Sequence, residues 1–384
     1  MEIRNPLFTR KKQPLFFFRL GYLERFLLIS ILLGLFGVFM VLSASATFGR
    51  NAMNSDSFFF LRQVSFYALG LFVCWIATKM PTENLEKYSF FLLGLSFALM
   101  SLVLIPGIGE LKYGARRWIR IFGLGIQPSE IFKFAVVVWV ADFLKRKGGF
   151  VSSLTYGVMP LVFFIGVSAW LFLMQPDFGN LFLLAVTVFM MGYTAGVRRM
   201  HIFYLFVILF LGSLLAIFTN PYRLQRLSTY LDPWADPNDT GFQLINSMIA
   251  FGSGGIFGKG LGNSLQKQYY LPFPQTDFIF ASIGEELGFL GVFGLLFCFL
   301  ILLHSGLKVA SLCKDLFARY YCFGITLLIA LQALLHFGVV IGSLPTKGIG
   351  LPFISYGGSS LVTYYFAVGW FYNLGKTQKN KGTG

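Results

Sequence analysis

Long apolar runs alternate with short polar segments along the whole chain. Each run approaches the ~20 residues that carry an α-helix across a bilayer. Ten are read, at residues 24–46, 58–79, 88–106, 129–144, 153–174, 178–196, 200–219, 278–303, 319–342 and 355–375. The repeated two-residue alternation of a membrane barrel does not appear. The pattern predicts an all-α polytopic membrane protein with about ten transmembrane helices. It divides the chain into a tail over 1–23, a membrane domain over 24–375 with a long polar loop at 220–276, and a second tail over 376–384. The fourth and sixth runs are short, which predicts tilt or burial inside the bundle.

Composition sharpens this picture. The chain is 56% hydrophobic and 12% charged, where a soluble domain carries roughly a quarter charged residues. A net charge of +15 would suggest nucleic acid for a soluble protein. Here the basic residues flank apolar runs, where they fix orientation and meet anionic membrane lipid. Arg4, Arg10, Lys11, Lys12 and Arg19 precede the first run, which is too long for a signal-peptide core. With that tail in the cytoplasm, Lys79, Lys87, Lys145-Arg146-Lys147, Arg198-Arg199, Lys308, Lys314, Arg319 and the Lys-rich C-terminus share its side. Both termini are therefore expected in the cytoplasm of a cell whose inner membrane holds the protein. Cys74, Cys298, Cys313 and Cys322 form no CxxC pair and read as packing residues.

The opposite side keeps Lys112, Arg116, Arg117, Arg120, Arg223, Arg226, Lys259, Lys267 and Lys347. A long loop over 220–276 escapes the orientation rule, but the short segment 107–128 does not. Its four basic residues suggest an anionic ligand on the outward face. The outward segments also gather Gly and Pro, in Phe251–Gly262 and Leu344–Ser360. Irregular backbone at membrane depth must be buried in protein or line a cavity. An outward pocket follows.

Few acidic residues sit near the membrane core. Asp277 precedes a long apolar run, as a helix cap would; the other reading is a general base at the membrane boundary. Glu285 lies eight residues on, about 12 Å deeper. An ionisable group at that depth is a functional candidate by default, but Glu286 beside it cannot share its helix face, and structural pairing with a neighbouring helix is the expectation. Gln127-Pro128-Ser129-Glu130 opens the fourth run, and Glu130 with Lys133 forms an i, i+3 pair or lines the cavity. Asp177 opens the sixth run as a cap or as a second cavity carboxylate. No P-loop, GxGxxG or HExxH occurs, and His201, His304 and His336 are scattered. An enzyme of this kind needs a substrate that carries its own activation.

Several motifs together resemble one family. Gly114-Ala115-Arg116-Arg117-Trp118-Ile119 precedes Gln127-Pro128-Ser129-Glu130 and Lys133. Gln175-Pro176-Asp177-Phe178-Gly179 follows. Then come Tyr222-Arg223-Leu224-Gln225-Arg226, Asp232-Pro233-Trp234, Gly260-Leu261-Gly262-Asn263-Ser264, Thr276-Asp277-Phe278 and Gly284-Glu285-Glu286-Leu287-Gly288. Leu344-Pro345-Thr346-Lys347-Gly348 and Leu351-Pro352-Phe353-Ile354-Ser355-Tyr356-Gly357-Gly358-Ser359-Ser360 close the set. The chain resembles the SEDS family of peptidoglycan polymerases over nearly its whole length, and its Pro-Thr-Lys-Gly form is similar to the division type rather than the elongation type. Two departures stand out. Pro274-Gln275 replaces a usual Ala-His, and His336 and Val339 stand where two asparagines are usual.

The resemblance implies polymerisation of lipid II into glycan strands on the outer face of the cytoplasmic membrane. It implies Asp277 as the catalytic base, with Glu130, Lys133, Asp177, Arg116, Arg226, Lys347 and Ser359 as substrate-binding residues. The expected partners are a class B penicillin-binding protein, other division proteins and membrane lipid, with no nucleic acid. A divalent cation, magnesium or manganese, would assist at the pyrophosphate, though no motif marks a metal site. A lipid II transporter and a non-catalytic division scaffold remain the alternatives.

Overall fold

A computed structural model describes residues 21–53, 55, 57–112, 114–121, 123–219, 221–266, 274–346 and 348–381. Most of the predicted tail over 1–23 lies outside them, as do Lys267 and Lys347. Among the described residues are thirteen α-helices and one three-stranded sheet. In order they are α1 (Tyr22–Met53), α2 (Phe58–Ala77), α3 (Thr82–Lys87), α4 (Ser89–Leu102), β1 (Gly109–Lys112), β2 (Ala115–Ile121), β3 (Leu124–Ile126), α5 (Pro128–Lys147), α6 (Met159–Met174), α7 (Phe178–Thr194), α8 (Arg199–Phe218), α9 (Pro221–Leu231), α10 (Phe242–Gly254), α11 (Ile279–Leu312), α12 (Leu316–Val340) and α13 (Gly358–Lys381). Each of the ten predicted runs coincides with a helix. Helix α13 continues through Lys381, into the segment read as a tail.

Length and composition alone make five stretches of the described chain able to span a membrane: Tyr22–Ser45, Phe58–Ala77, Leu154–Met174, Ile279–Leu312 and Leu316–Val340. Helix α5 is different. It carries Glu130, Lys133 and Asp142, yet these and most of its other residues are buried. It packs against α4, α12, α7 and α13, so its surface meets protein rather than lipid, and a mixed composition is tolerated there.

Close helix contacts use small residues, because lipid gives apolar side chains no reason to prefer one another. A Cβ on Gly369 of α13 would lie 2.4 Å from the Cys74 carbonyl oxygen of α2, so the two backbones touch. A Cβ on Gly37 of α1 would meet the Ile354 Cα at 2.6 Å. That contact seats the loop between α12 and α13 against the first helix.

The sheet was not foreseen in an all-α reading. Strands β1, β2 and β3 pair antiparallel in chain order, and Gly114 and Gly123, both with positive φ, stand at the two reversals. They sit at one end of the bundle, the sheet end. Lys145 marks the other end, where it pairs with Glu86 at 2.8 Å and Asp315 at 3.1 Å.

Candidate active site at the sheet end

Adjacent residues of a strand point to opposite faces, and β2 separates two arginines in this way. Arg116 turns back along the sheet and donates to the Gly109 carbonyl at 3.2 Å. Arg117 crosses to the turn before α7, where it donates to the Gln175 carbonyl at 2.9 Å and to the Pro176 carbonyl. Its NH1 remains beside Asp277 and Gly348. The sequence grouped both arginines as outward cations and favoured Arg116; strand register brings Arg117 to the carboxylate.

Asp277 does not cap a helix. Helix α11 begins at Ile279, its N-cap is Phe278, and no side chain closes that cap. Among the described residues no hydrogen bond reaches the Asp277 carboxylate. Charges act on it instead. Burial pushes its pKa up to about 6, the positive charges of Arg226 and Arg117 pull it down, and the Asp177 carboxylate pushes it up. Asp277 is therefore mostly ionised at neutral pH and more basic than a capping aspartate, whose anion would be stabilised by the helix end.

The loop between α12 and α13 forms the wall facing Asp277. A Cβ on Gly348 would lie 3.3 Å from its Oδ2. This approach is held from several sides. Gln332 Nε2 donates to the Gly350 carbonyl at 2.9 Å, and His336 Nδ1 lies 2.8 Å from the Ile349 carbonyl. Ser355 donates to the Thr276 carbonyl at 2.7 Å and accepts from the Leu351 amide at 2.7 Å. The Tyr356 amide donates to the Gln275 carbonyl at 2.9 Å. Arg226 of α9 donates to the Thr346 carbonyl at 2.9 Å. Phe353 in this loop is buried with φ of 67°, a conformation costing about 1–3 kcal/mol that persists only where surroundings impose it.

Beneath this wall lies a buried polar core. Lys133 donates to Glu130 at 2.8 Å, Asn180 at 3.0 Å and Gln332 at 2.8 Å. Three acceptors satisfy its three donors. Ser360 donates to Glu130 at 3.1 Å, and Tyr364 to Gln332. Asp177 caps α7 and accepts from the Asn180 amide side chain at 2.8 Å. Ser359 accepts from the Gln127 amide at 3.1 Å, which ties α13 to the start of α5. A small cavity borders Glu130, Lys133, Thr363 and Tyr364. Glu130, Lys133, Asp177, Arg226 and Ser359 thus gather around one end of the bundle, while Lys347 lies outside the described residues. Gln332 and the glycine wall were not singled out from the sequence. Gln332 lies one turn from His336 on a mostly apolar helix, a signal that was present.

Of the two departures, Gln275 is buried and its Oε1 has no partner among the described residues, while His336 holds the wall. Glu285 and Glu286 are both fully buried, on different sides of α11. Glu286 accepts from Ser43 of α1 at 2.8 Å, and Glu285 pairs with Lys259 at 2.8 Å. Glu285 is paired as expected, but with the segment after α10 rather than with a neighbouring helix, and two neighbouring elements make room for both carboxylates. Among the described residues no group of three or more His, Cys, Asp or Glu side chains is arranged to hold a metal ion.

The FtsW/RodA/SpoVE family of cell cycle proteins matches residues 24–380. The chain belongs to this family. A probable peptidoglycan glycosyltransferase FtsW of Geobacter sp. strain M18 is 40% identical over 355 residues, 92% of this chain and 96% of that protein. Stage V sporulation protein E of Bacillus subtilis strain 168 is 40% identical over 350 residues, 91% of this chain and 95% of that protein. A solved chain from a peptidoglycan synthase complex, studied for its coordination of polymerization and crosslinking, superposes with a TM-score of 0.72 at 29% identity, covering 89% of this chain and 97% of that one. The rod shape determining protein RodA of Thermus thermophilus superposes at 0.69 with 25% identity, covering 92% and 96%. The FtsW/RodA/SpoVE fold is that of a multi-pass membrane protein, in agreement with the all-α polytopic reading.

Proposed function

We propose that this protein is a peptidoglycan glycosyltransferase that polymerises lipid II on the outer face of the cytoplasmic membrane during cell division. The observation that carries the reading is the Asp277 carboxylate: it caps no helix, has no hydrogen bond among the described residues, is raised in pKa, and faces a wall where a Cβ on Gly348 would lie 3.3 Å from its Oδ2. Such a group is built to receive a proton. Names given to relatives at 40% identity support the reaction class.

In the proposed reaction, Asp277 removes the proton from the 4-hydroxyl of the acceptor sugar. The freed oxygen attacks the anomeric carbon of the donor with inversion. The anomeric C–O bond breaks, and undecaprenyl pyrophosphate leaves with its electron pair. A donor that carries this leaving group needs no nucleotide, which agrees with the missing nucleotide motifs. Arg226 and Arg117 neutralise the pyrophosphate, with Arg116 and Lys347 as further candidates. Glu130, Lys133, Asp177 and Ser359 shape the cavity floor. The sheet end then faces outward and both termini face the cytoplasm. A class B penicillin-binding protein supplies crosslinking, in keeping with the synthase complex that the fold resembles.

Purified protein with such a partner, given lipid II in detergent, is expected to make glycan chains. Detergent removes the sidedness that a transporter requires and gives a scaffold nothing to do. Absence of product with an intact complex would sink the polymerase reading and favour one of those alternatives.

A further inference from the structure

Helix α11 is two helices joined end to end. Gly288 has φ of 64° and ψ of −164°, so the helical ladder stops there. In an unbroken helix the Phe289 and Leu290 amides would bond the Glu285 and Glu286 carbonyls. Here a segment from the preceding hairpin takes all four groups. The Lys259 amide donates to the Glu285 carbonyl at 2.9 Å, and the Gly260 amide to the Glu286 carbonyl at 3.0 Å. The Phe289 amide donates to Gly255 at 2.9 Å, and the Leu290 amide to Ile256 at 3.1 Å. Glycine makes the approach possible: a Cβ on Gly258 would lie 2.1 Å from the Glu286 carbonyl oxygen, and one on Gly288 would lie 2.3 Å from the Gly258 nitrogen.

One carboxylate closes this joint. Glu285 is fully buried. It accepts from Lys259 Nζ at 2.8 Å, Ser253 at 3.3 Å, Ser264, and the Leu265 and Gln266 amides at 3.2 Å each. All five donors belong to the hairpin formed by α10 and the residues after it. The half-helix Ile279–Leu287 that follows Asp277 therefore takes its bearing from the hairpin as well as from the lower part of its own helix.

We propose that Glu285 and Lys259 are positioning residues for Asp277: they latch the hairpin across the break in α11 and so set where the carboxylate stands against the Gly348 wall. This rests on Asp277 being the base. Mere packing glue would alter stability without altering the reaction. Two readouts separate these cases, Lys259→Met against Lys259→Arg. The first is steady-state lipid II polymerisation by the complex. Lys259→Met is expected to lower kcat about tenfold with KM within about twofold, and Lys259→Arg, which keeps the charge, to restore it. The second reads geometry without the reaction. Asp277→Cys, with the four native cysteines replaced, is labelled by a thiol reagent. Lys259→Met is expected to change the labelling rate at least about fivefold, and Lys259→Arg to leave it unchanged. Unaltered labelling in Lys259→Met overturns the latch, as does altered labelling with an unaltered kcat. If the wild-type complex makes no glycan, the polymerase reading falls, and the labelling arm alone decides whether the latch sets this position.

Discussion

Asp277 and Glu285 lie eight residues apart around one helix start, and they are opposite solutions to keeping a carboxylate inside a membrane protein. Glu285 is surrounded by a lysine, two hydroxyls and two backbone amides. Asp277 meets two arginine charges and another carboxylate, with no hydrogen bond among the described residues. A fully buried charge is costly unless it is bonded, as Glu285 is; Asp277 is half-buried and lacks such bonds among the described residues, as perturbed groups at functional sites often do. The satisfied one is architecture. Residue type and depth did not separate the two; the donors around them do.

The sharpest way to break this contrast is Asp277→Asn. Asparagine keeps the shape and loses the base. Polymerisation is expected to fall at least about 100-fold, the lower end of what a general base contributes. Membrane insertion and thermal stability in detergent should not change, since no hydrogen bond from a described residue is lost. Wild-type rates of glycan synthesis by this variant would leave Asp277 with no role in the chemistry.

Glu285→Ala should cost stability as well as rate. It strips the acceptor from five hairpin donors and leaves Lys259 without its partner. Removing one member of a buried ion pair costs about 3–5 kcal/mol, and Lys259 is about one-third exposed, so water recovers part of that. A loss of about 2 kcal/mol or more, read as a lower denaturation temperature in detergent, is expected. If Glu285→Ala is as stable as the wild type, the carboxylate is not structural and the contrast between the two residues collapses.

The pH dependence sharpens the Asp277 side. A base with a pKa near 6 gives a rate that falls as pH drops through that value. The Arg226 charge lowers this pKa. Arg226→Gln removes the charge, so the pKa rises and the acid limb moves to higher pH. Activity near pH 6 should drop more than activity near pH 8. An acid limb that stays in place would mean that the limb reports another group or that Arg226 does not act on Asp277.

Much of the fold was legible in the sequence because lipid imposes a simple rule: helices of about 20 apolar residues, joined by short polar segments. Every predicted run became a helix for that reason. Helix α5 obeys a second rule, since its short run predicted tilt or burial inside the bundle and most of its residues are buried. The sheet over 109–126 was hidden because short strands outside the membrane carry little apolar pattern. At the site, Glu130, Lys133 and Asp177 were visible as charges at helix starts. The choice of Arg117 over Arg116 was not, because it depends on strand register. The approach of Gly348 to Asp277 was not visible, since it depends on the path of the loop between α12 and α13.

The smallest expected effect concerns two glycines of α11, Gly288 and Gly294. Their surroundings differ. Gly288 is buried under the hairpin, whereas a Cβ on Gly294 would meet nothing within 4 Å, and Phe289, Leu290 and Phe293 nearby are exposed. Small residues let membrane helices approach closely, so Gly294 suits an external helix and Gly288 an internal joint. Gly294→Leu is expected to leave expression, stability and intrinsic chemistry unchanged while reducing co-purification of a class B penicillin-binding protein. Gly288→Leu is expected to fail earlier, at folding, because its φ of 64° and the Gly258 backbone both exclude a side chain. Undiminished partner recovery with Gly294→Leu would place the partner helix elsewhere on the bundle and leave Gly294 as an ordinary lipid-facing residue.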